Sequence, residues 1–335
     1  LFVMPVAPEH AKTDFLQIVG ANTIIKKFRV KTIPSLATPY MGENEYDAAH
    51  RQYLASGGLD LYGTNLFEEI RRYYLAVEAL CGAEEFDVIH AHDWMTYEAG
   101  MRAKEISKKP FVAHVHAIEN DRTGGKPNPT ISRIEREGLS HADRIIANSS
   151  WTKKNILAAY PVSEDRISVV HWGISPEEFT VRQIQSVLKD RNKIVLFLGR
   201  LTVQKGPEYF VRAAKKVVQE ISNIMFVVVG RGDKMPDMVH EVSAAGLSSR
   251  FVFTGWLSGD DVHRAYQFAD VFVMPSVSEP FGLVALEAMK NKTPVIISRQ
   301  SGVSEVVNHA LTFDFWDVDD CATKIISVLR QESLQ

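Results

Sequence analysis

Short apolar runs alternate along the chain with longer amphipathic stretches, the pattern of strands and covering helices in parallel α/β units. The first set of runs is Asp87–His90, Phe111–His116, Arg144–Ala147 and Ile167–Val170. The second is Ile194–Leu198, Met225–Val229, Phe251–Phe253, Val271–Met274 and Pro294–Ile297. Several are apolar throughout, as expected where helices cover both faces of a sheet. Their shortness and β-branched content predict strand rather than buried helix. Leu1–Met4, closed by Pro5, also reads as a buried strand and its exit. The chain is therefore expected to begin inside a domain, with one strand–helix unit upstream of it. Lys31–Arg72 fits the rhythm poorly, because Pro34, Pro39, Gly42, Gly57 and Gly58 interrupt it. It is expected as a long loop, either lining an acceptor site or running over the surface.

The two sets of strands imply two domains, and 335 residues exceed what one hydrophobic core usually serves. The polar stretch Pro176–Asn192 separates the sets and reads as a linker with one short helix. The expected organisation is a first domain over 1–178, a linker over 179–192 and a second domain over 193–335. The last helix of the second is expected to return to the first. On such sheets, ligands bind outside the carboxyl ends of the strands.

Composition narrows the class only a little. Hydrophobic residues make up 45% and charged residues 24%, ordinary values for a soluble globular chain. A net charge of −3 gives no reason to expect nucleic acid as a partner. Cys81 and Cys321 are the only cysteines and form no CxxC, so neither a disulfide framework nor a structural zinc site is expected. That usage fits a reducing, cytoplasmic compartment. No apolar run reaches the roughly 18 residues of a membrane-spanning helix.

Three segments of the second set carry candidate chemistry. In Ser278–Met289, Pro280 suits a first helical turn and disfavours helix at Glu279. Glu279 is thus expected in a loop before a helix N-terminus, where the amides of Phe281, Gly282 and Leu283 attract anions or hydroxyl-rich groups. Glu287, about two helical turns on, is placed to accept from a ribose diol. Taken singly, each carboxylate is more simply a helix cap or a surface residue; the ordered set is far more specific. In Leu198–Gly206, Arg200 and Lys205 at a strand end form a cationic clamp for a diphosphate. In Val229–Asp233, Gly230 and Arg231 form a turn that can hold a nucleotide, although the full Gly-x-Gly-x-x-Gly pattern is absent.

In the first set, two strands end in histidine clusters, His90-Ala91-His92-Asp93-Trp94 and His114-Val115-His116. His92 and Asp93 can hydrogen-bond sugar hydroxyls, and Trp94 can offer an apolar face. A metal site built from these histidines is the less favoured alternative, since no spacing marks it. Asp317-Val318-Asp319 matches a metal-binding Asp-x-Asp only superficially, in a polar stretch before the last helix.

Together these residues resemble a known family. Glu279 to Glu287 resembles the E-x7-E motif of retaining glycosyltransferases, and Gly199–Leu201 with Gln204–Gly206 resembles their diphosphate-binding loop. Ser301–Val307 is similar to the family's Gly-Gly-x-x-Glu segment, with Ser301 in place of the first glycine. His90–Trp94 is similar to a segment of glycogen and starch synthases. The resemblance is to glycosyltransferase family 4, leaning toward synthase-like members, and it covers nearly the whole chain. It implies a GT-B fold, two Rossmann-like domains with parallel sheets facing across a cleft.

It also implies a metal-independent, retaining hexosyl transfer from a nucleoside diphosphate sugar, UDP- or ADP-glucose foremost, to an acceptor hydroxyl such as that of a glucan. No cofactor is implied beyond the sugar nucleotide. In this reading Arg200 and Lys205 hold the diphosphate and Glu287 the ribose. Glu279 and the amides of Phe281, Gly282 and Leu283 address the sugar, His116 lies near the reacting sugar, and Asp93 is on the acceptor side. Two departures stand out: no glycine-rich loop precedes Leu1, and Trp172-Gly173 replaces a common Asn-Gly turn. Two other readings share the fold, a nucleotide-sugar 2-epimerase and a non-catalytic nucleotide-sugar-binding protein. Oligomeric state is left open.

Overall fold

The apolar runs fold as strands of parallel sheets, and their flanking amphipathic stretches fold as helices. The computed structural model describes residues 2–4, 30–32, 35–37, 41–56, 62–175 and 187–330. From the N-terminus, β1 (Phe2–Met4) pairs in parallel with β2 (Val30–Thr32). Next come α1 (Glu43–Ala55), α2 (Leu66–Cys81), β3 (Ile89–His92), α3 (Trp94–Ser107) and β4 (Phe111–Val115). They are followed by α4 (Glu119–Arg122), α5 (Pro129–His141), β5 (Arg144–Ala147), α6 (Ser150–Ala159) and β6 (Ile167–Val169). After α7 (Val187–Arg191) the chain runs through β7 (Lys193–Leu198), α8 (Pro207–Glu220), β8 (Ile224–Val229), α9 (Met235–Ala244) and β9 (Phe251–Gly255). It ends with α10 (Asp260–Phe268), β10 (Val271–Met274), α11 (Leu283–Lys290), β11 (Val295–Ser298), β12 (Leu311–Phe313) and α12 (Val318–Arg330).

These elements divide into two compact units. The first comprises Leu1–Val115, Arg133–Ile146 and Tyr160–Ile167; the second comprises His116–Ser132, Ala147–Ala159 and Ser168–Gln335. Strands β3 to β6 form a four-stranded sheet in the order β3-β4-β5-β6. The expected long loop over Lys31–Arg72 is largely helical where it is described, in α1 and the start of α2. The Asn65 side chain caps α2 by accepting from the Glu68 amide at 3.0 Å. Glu69, only 1% exposed, ties the region together. It accepts from Arg72 at 2.6 Å, from the Ser35 hydroxyl at 2.5 Å and from the Gly63 amide at 2.9 Å. Most of the expected linker, residues 176–186, lies outside the described residues; α7 occupies its end.

The second unit holds a six-stranded parallel sheet in the order β9-β8-β7-β10-β11-β12. Alternate residues of a strand face opposite sides, and both sides are covered. Val195, Phe197, Val271 and Val273 pack against α8, α9 and α12 through Phe210, Ala214, Met238 and Ile325. Ile194, Leu196, Phe272 and Met274 pack against α10 and α11 through Tyr266, Ala285 and Ala288. Two-sided burial is why these strands read as unbroken apolar runs. β7 begins the unit's sheet at its middle, the chain winds outward through β8 and β9, then returns to lay β10 on the other side of β7. The order therefore reverses between β7 and β10, which opens a crevice at their carboxyl ends.

Candidate active site

The loops that leave β7 and β10 meet at that switch point. Beyond β7, the Gly199 amide donates to Val229 O at 3.0 Å and the Leu201 amide to Arg231 O at 2.8 Å. The Gly230 amide donates to Gly255 O at 2.8 Å. The exits of β7, β8 and β9 are thereby stitched together. Val203–Lys205 makes a single tight turn that ends at Gly206, whose φ of 62° is in the left-handed region. A Cβ at Gly206 would lie 2.2 Å from Pro275 O, so glycine is required where this loop passes the exit of β10. The Val277 amide donates to Gln204 O at 2.9 Å, closing the same contact.

This arrangement brings Lys205 and Glu279 together: the Lys205 ammonium donates to Glu279 Oε2. The Ser276 hydroxyl donates to the same oxygen at 3.1 Å. Glu279 is buried, not a surface cap. Its backbone is held extended by a bridge to Ser301, with the Glu279 amide donating to Gln300 O at 2.8 Å and Gly302 to Glu279 O at 3.0 Å. That bridge moves the helix start. Helix α11 begins at Leu283 rather than at Pro280, after Gly282 turns the chain with a φ of 106°. The amides at this start lack intrahelical partners, as at any helix N-terminus. Arg200 follows Gly199 at the end of β7, and exposed Arg231 follows Gly230 at the end of β8. Glu287 lies on α11 and accepts from the Tyr266 hydroxyl at 3.0 Å. Burial, with the Glu287 charge beside it, pushes the Tyr266 phenol far up, so Tyr266 stays a neutral donor.

His116 belongs to the same unit. Its ring lies 4.9 Å from Trp172, and Trp172 lies 6.0 Å from Phe281, so aromatic contacts connect it to the Glu279 loop. The Asn148 amide donates to His116 O at 2.9 Å.

A buried polar knot that sequence reasoning did not single out anchors this loop. The Ser149 hydroxyl donates to Pro280 O, and Thr152 Oγ1 also reaches it, at 3.2 Å. Ser278 donates to Asp121 Oδ1 at 2.6 Å, and Asn155 donates to the same atom at 2.8 Å. Burial raises the Asp121 carboxyl above its ordinary range, although these donors oppose it. No periodicity marks Asp121, which lies 157 residues before Ser278.

Glu305, noted in sequence only as part of a family segment, holds the N-terminus of α6. It accepts from the Ser150 amide at 2.9 Å, the Trp151 amide at 2.7 Å and His171 Nε2 at 2.9 Å. Burial pushes the Glu305 carboxyl up, but donation from His171 and the two amides outweighs it and holds the group below its usual range. A depressed folded value stabilises the protein above the unfolded glutamate value, and the effect is lost as pH falls through the folded one. Glu305→Gln is therefore expected to lower the urea midpoint at about pH 6, with the deficit shrinking below about pH 4. A deficit equal at both ends of a pH series of urea melts would contradict this role.

In the first unit, His92 ends β3 and Asp93 follows with a φ of 59°, unusual for a residue that is not glycine. The Asp93 amide donates to His114 O at 2.9 Å. Trp94 is buried, with its ring 5.9 Å from Phe67, so its face is taken up by packing. Asp317-x-Asp319 has local partners: Asp317 accepts from the Asp320 amide at 2.9 Å, and Asp319 pairs with Lys216 at 2.6 Å.

Comparison with known proteins agrees with this architecture. Residues 35–178 match the model of Glycosyltransferase Family 4, and residues 180–335 match that of Glycosyl transferases group 1. An uncharacterized glycosyltransferase of Methanocaldococcus jannaschii is 36% identical over 69% of this chain and 62% of its own length. The D-inositol 3-phosphate glycosyltransferase of Mycolicibacterium smegmatis is 32% identical over 77% of this chain and 63% of its own. The chain thus spans somewhat under two thirds of these relatives. Among solved structures, the sucrose-phosphate synthase of Thermosynechococcus elongatus superposes with a TM-score of 0.70 at 22% identity, over 90% of this chain and 75% of that one. Anabaena HepE, solved with UDP and glucose, gives a TM-score of 0.66 at 20% identity, over 78% and 73%. No helix among the described residues is long and apolar enough to cross a membrane. With two adjoining family models over most of its length and two Rossmann-like α/β domains of the GT-B fold, the chain belongs to the group 1 and family 4 glycosyltransferases.

Proposed function

We propose that the protein is a retaining glycosyltransferase that moves glucose from a nucleoside diphosphate sugar to an acceptor hydroxyl, with a glucan as the first acceptor to try. The observation that carries this reading is the Lys205–Glu279 pair at the switch point between β7 and β10, on the loop that Gly199 and Arg200 open. Bond breaking loads negative charge onto the departing diphosphate. Two cations fixed at a strand end stabilise that charge as preorganised electrostatics, without an obligatory metal. Glu279, held extended by Ser301, addresses the sugar together with the amides of Phe281, Gly282 and Leu283. Glu287 keeps Oε2 on Tyr266 and offers Oε1 to a ribose hydroxyl. Gly230 and Arg231 flank the nucleotide, and His116 stands by the reacting sugar. In the first unit, His92 and Asp93 bind the acceptor, with Trp94 as packing beneath them. The leaving phosphate takes the acceptor proton on the same face as the departing bond, which retains the anomeric configuration. HepE, solved with UDP-glucose, supports the choice of donor.

The test is a donor screen. Nucleotide release is measured from a panel of sugar nucleotides, with and without maltooligosaccharide or inositol phosphate. Release that requires both UDP- or ADP-glucose and an acceptor is the expected result. A 2-epimerised sugar nucleotide formed from donor alone would replace the proposal with an epimerase. Tight nucleotide binding by calorimetry with no turnover across the panel would replace it with a binding protein.

A further inference from the structure

Strand register brings together three imidazoles that sequence spacing leaves unmarked. His90 and His92 are two residues apart on β3 and so share one face of the sheet. The parallel register sets His92 opposite His114 on β4, which adds a third ring to that face. Ring centroids are 4.5 Å apart for His90 and His92, 4.9 Å for His92 and His114, and 5.3 Å for His90 and His114. Each ring offers a nitrogen, and the three nitrogens lie within 4.8 Å of one another. His90 and His92 are exposed, so solvent ions reach the group through them; His114 is partly buried, with both ring nitrogens shielded from solvent.

We propose that His90, His92 and His114 form a binding site for a first-row transition metal, with Zn²⁺ the principal ligand. Imidazole suits Zn²⁺, Cu²⁺ and Ni²⁺, and the absence of a carboxylate from the trio argues against Mg²⁺ or Ca²⁺. Three histidines with an open fourth position is an established zinc geometry. A tetrahedral ion with Zn–N bonds of about 2.05 Å needs its nitrogens about 3.4 Å apart. Rotation of the imidazoles about their side-chain torsions supplies the difference while the β3–β4 ladder keeps the backbone fixed. His92 can bind the ion through one ring nitrogen and hydrogen-bond the acceptor through the other; the plainer reading, three stacked histidines that only hydrogen-bond, differs in what happens when metal is added. The trio lies wholly in the first unit, whereas Arg200, Lys205 and Glu279 lie in the second. The proposed site uses none of the residues assigned to the cationic clamp. Its effect is to cross-link β3 and β4, which stabilises the folded form by mass action.

The test uses the tag-free full chain, stripped of metal with a chelator. Co²⁺ is titrated while visible d–d absorption is followed, Zn²⁺ is then added in competition, and thermal melting is recorded with and without Zn²⁺. One tetrahedral Co²⁺ per chain, displaced by Zn²⁺, and a raised melting temperature are expected. His90→Ala and His114→Ala should each weaken binding at least about tenfold and abolish the thermal shift. His240→Ala, an exposed histidine on α9, should leave both intact. Because His90 is exposed, its alanine variant is expected to keep the parent's circular dichroism, which makes it the decisive arm. Absence of a tetrahedral spectrum in the parent, or binding unchanged in both His90→Ala and His114→Ala, overturns the proposal.

Discussion

Replacing Lys205 with alanine is expected to slow the proposed glycosyl transfer by about 10²–10³-fold, the loss seen when one preorganised donor to a developing anion is removed. In the proposed mechanism the ammonium group acts on charge that appears only as the glycosidic bond breaks, so the loss should fall mainly on kcat at saturating donor. The same change has a structural effect. Lys205 and Glu279 have side-chain exposures of 15% and 7%, so the pair is largely withdrawn from solvent. Removing one partner strands the other charge, at a cost of about 3–5 kcal/mol. Ser276 still donates to Glu279 and offsets part of it. The double variant Lys205→Ala with Glu279→Gln separates the two effects. It should recover most of the lost stability in denaturant melts while transfer stays low. Recovery of transfer along with stability would mean that Lys205 acts only as a structural counterion.

The second large effect is expected at Gly230. Its φ of 141° is a conformation that side chains rarely adopt, and an added Cβ would sit 1.9 Å from Gly199 O. That obstacle is backbone, in the loop that presents Arg200, so it cannot swing aside as a side-chain tip would. Backbone strain and overpacking together put Gly230→Ala on the order of 4 kcal/mol less stable. Gly246→Ala is the control. Gly246 also has a positive φ, 71°, but nothing lies within 4 Å of its Cβ position. Only the conformational term acts there, about 1 kcal/mol. Equal urea midpoints for the two variants would show that the Gly199–Gly230 contact is not a constraint of the folded protein.

Much of the second unit was legible because its strands are buried on both faces. The apolar run Val271–Met274 coincides with its strand, and the runs Ile194–Leu198 and Met225–Val229 each fall one residue short of theirs. β12 escaped because Leu311–Phe313 is too short to show a pattern. Around helix α1, Pro34, Pro39 and Gly57 give the sequence the character of a loop, whereas Glu69 supplies order through side-chain hydrogen bonds that no local signal reveals. The site was legible as separate parts. In sequence, Lys205 points to phosphate and Glu279 to sugar, but their contact spans 74 residues and depends on the reversal of strand order between β7 and β10. Propensity at Pro280 predicted a helix start there. The pairing of Glu279 with Ser301, a tertiary effect, overrode it and placed the start at Leu283. The same limit hid Asp121 and the meeting of His90, His92 and His114, since register is a property of the sheet and not of either strand alone.

The proposed transfer with retention at the β7–β10 switch point is tested directly by the anomeric configuration of the product. Proton NMR during early turnover follows it, with an α-linked glucose nucleotide and the acceptor that supports release. Front-face transfer yields a newly formed α-glucosidic linkage, whose anomeric proton shows the small coupling of that configuration. A β-linked initial product would contradict front-face transfer and, with it, the proposed roles of Arg200, Lys205 and Glu279.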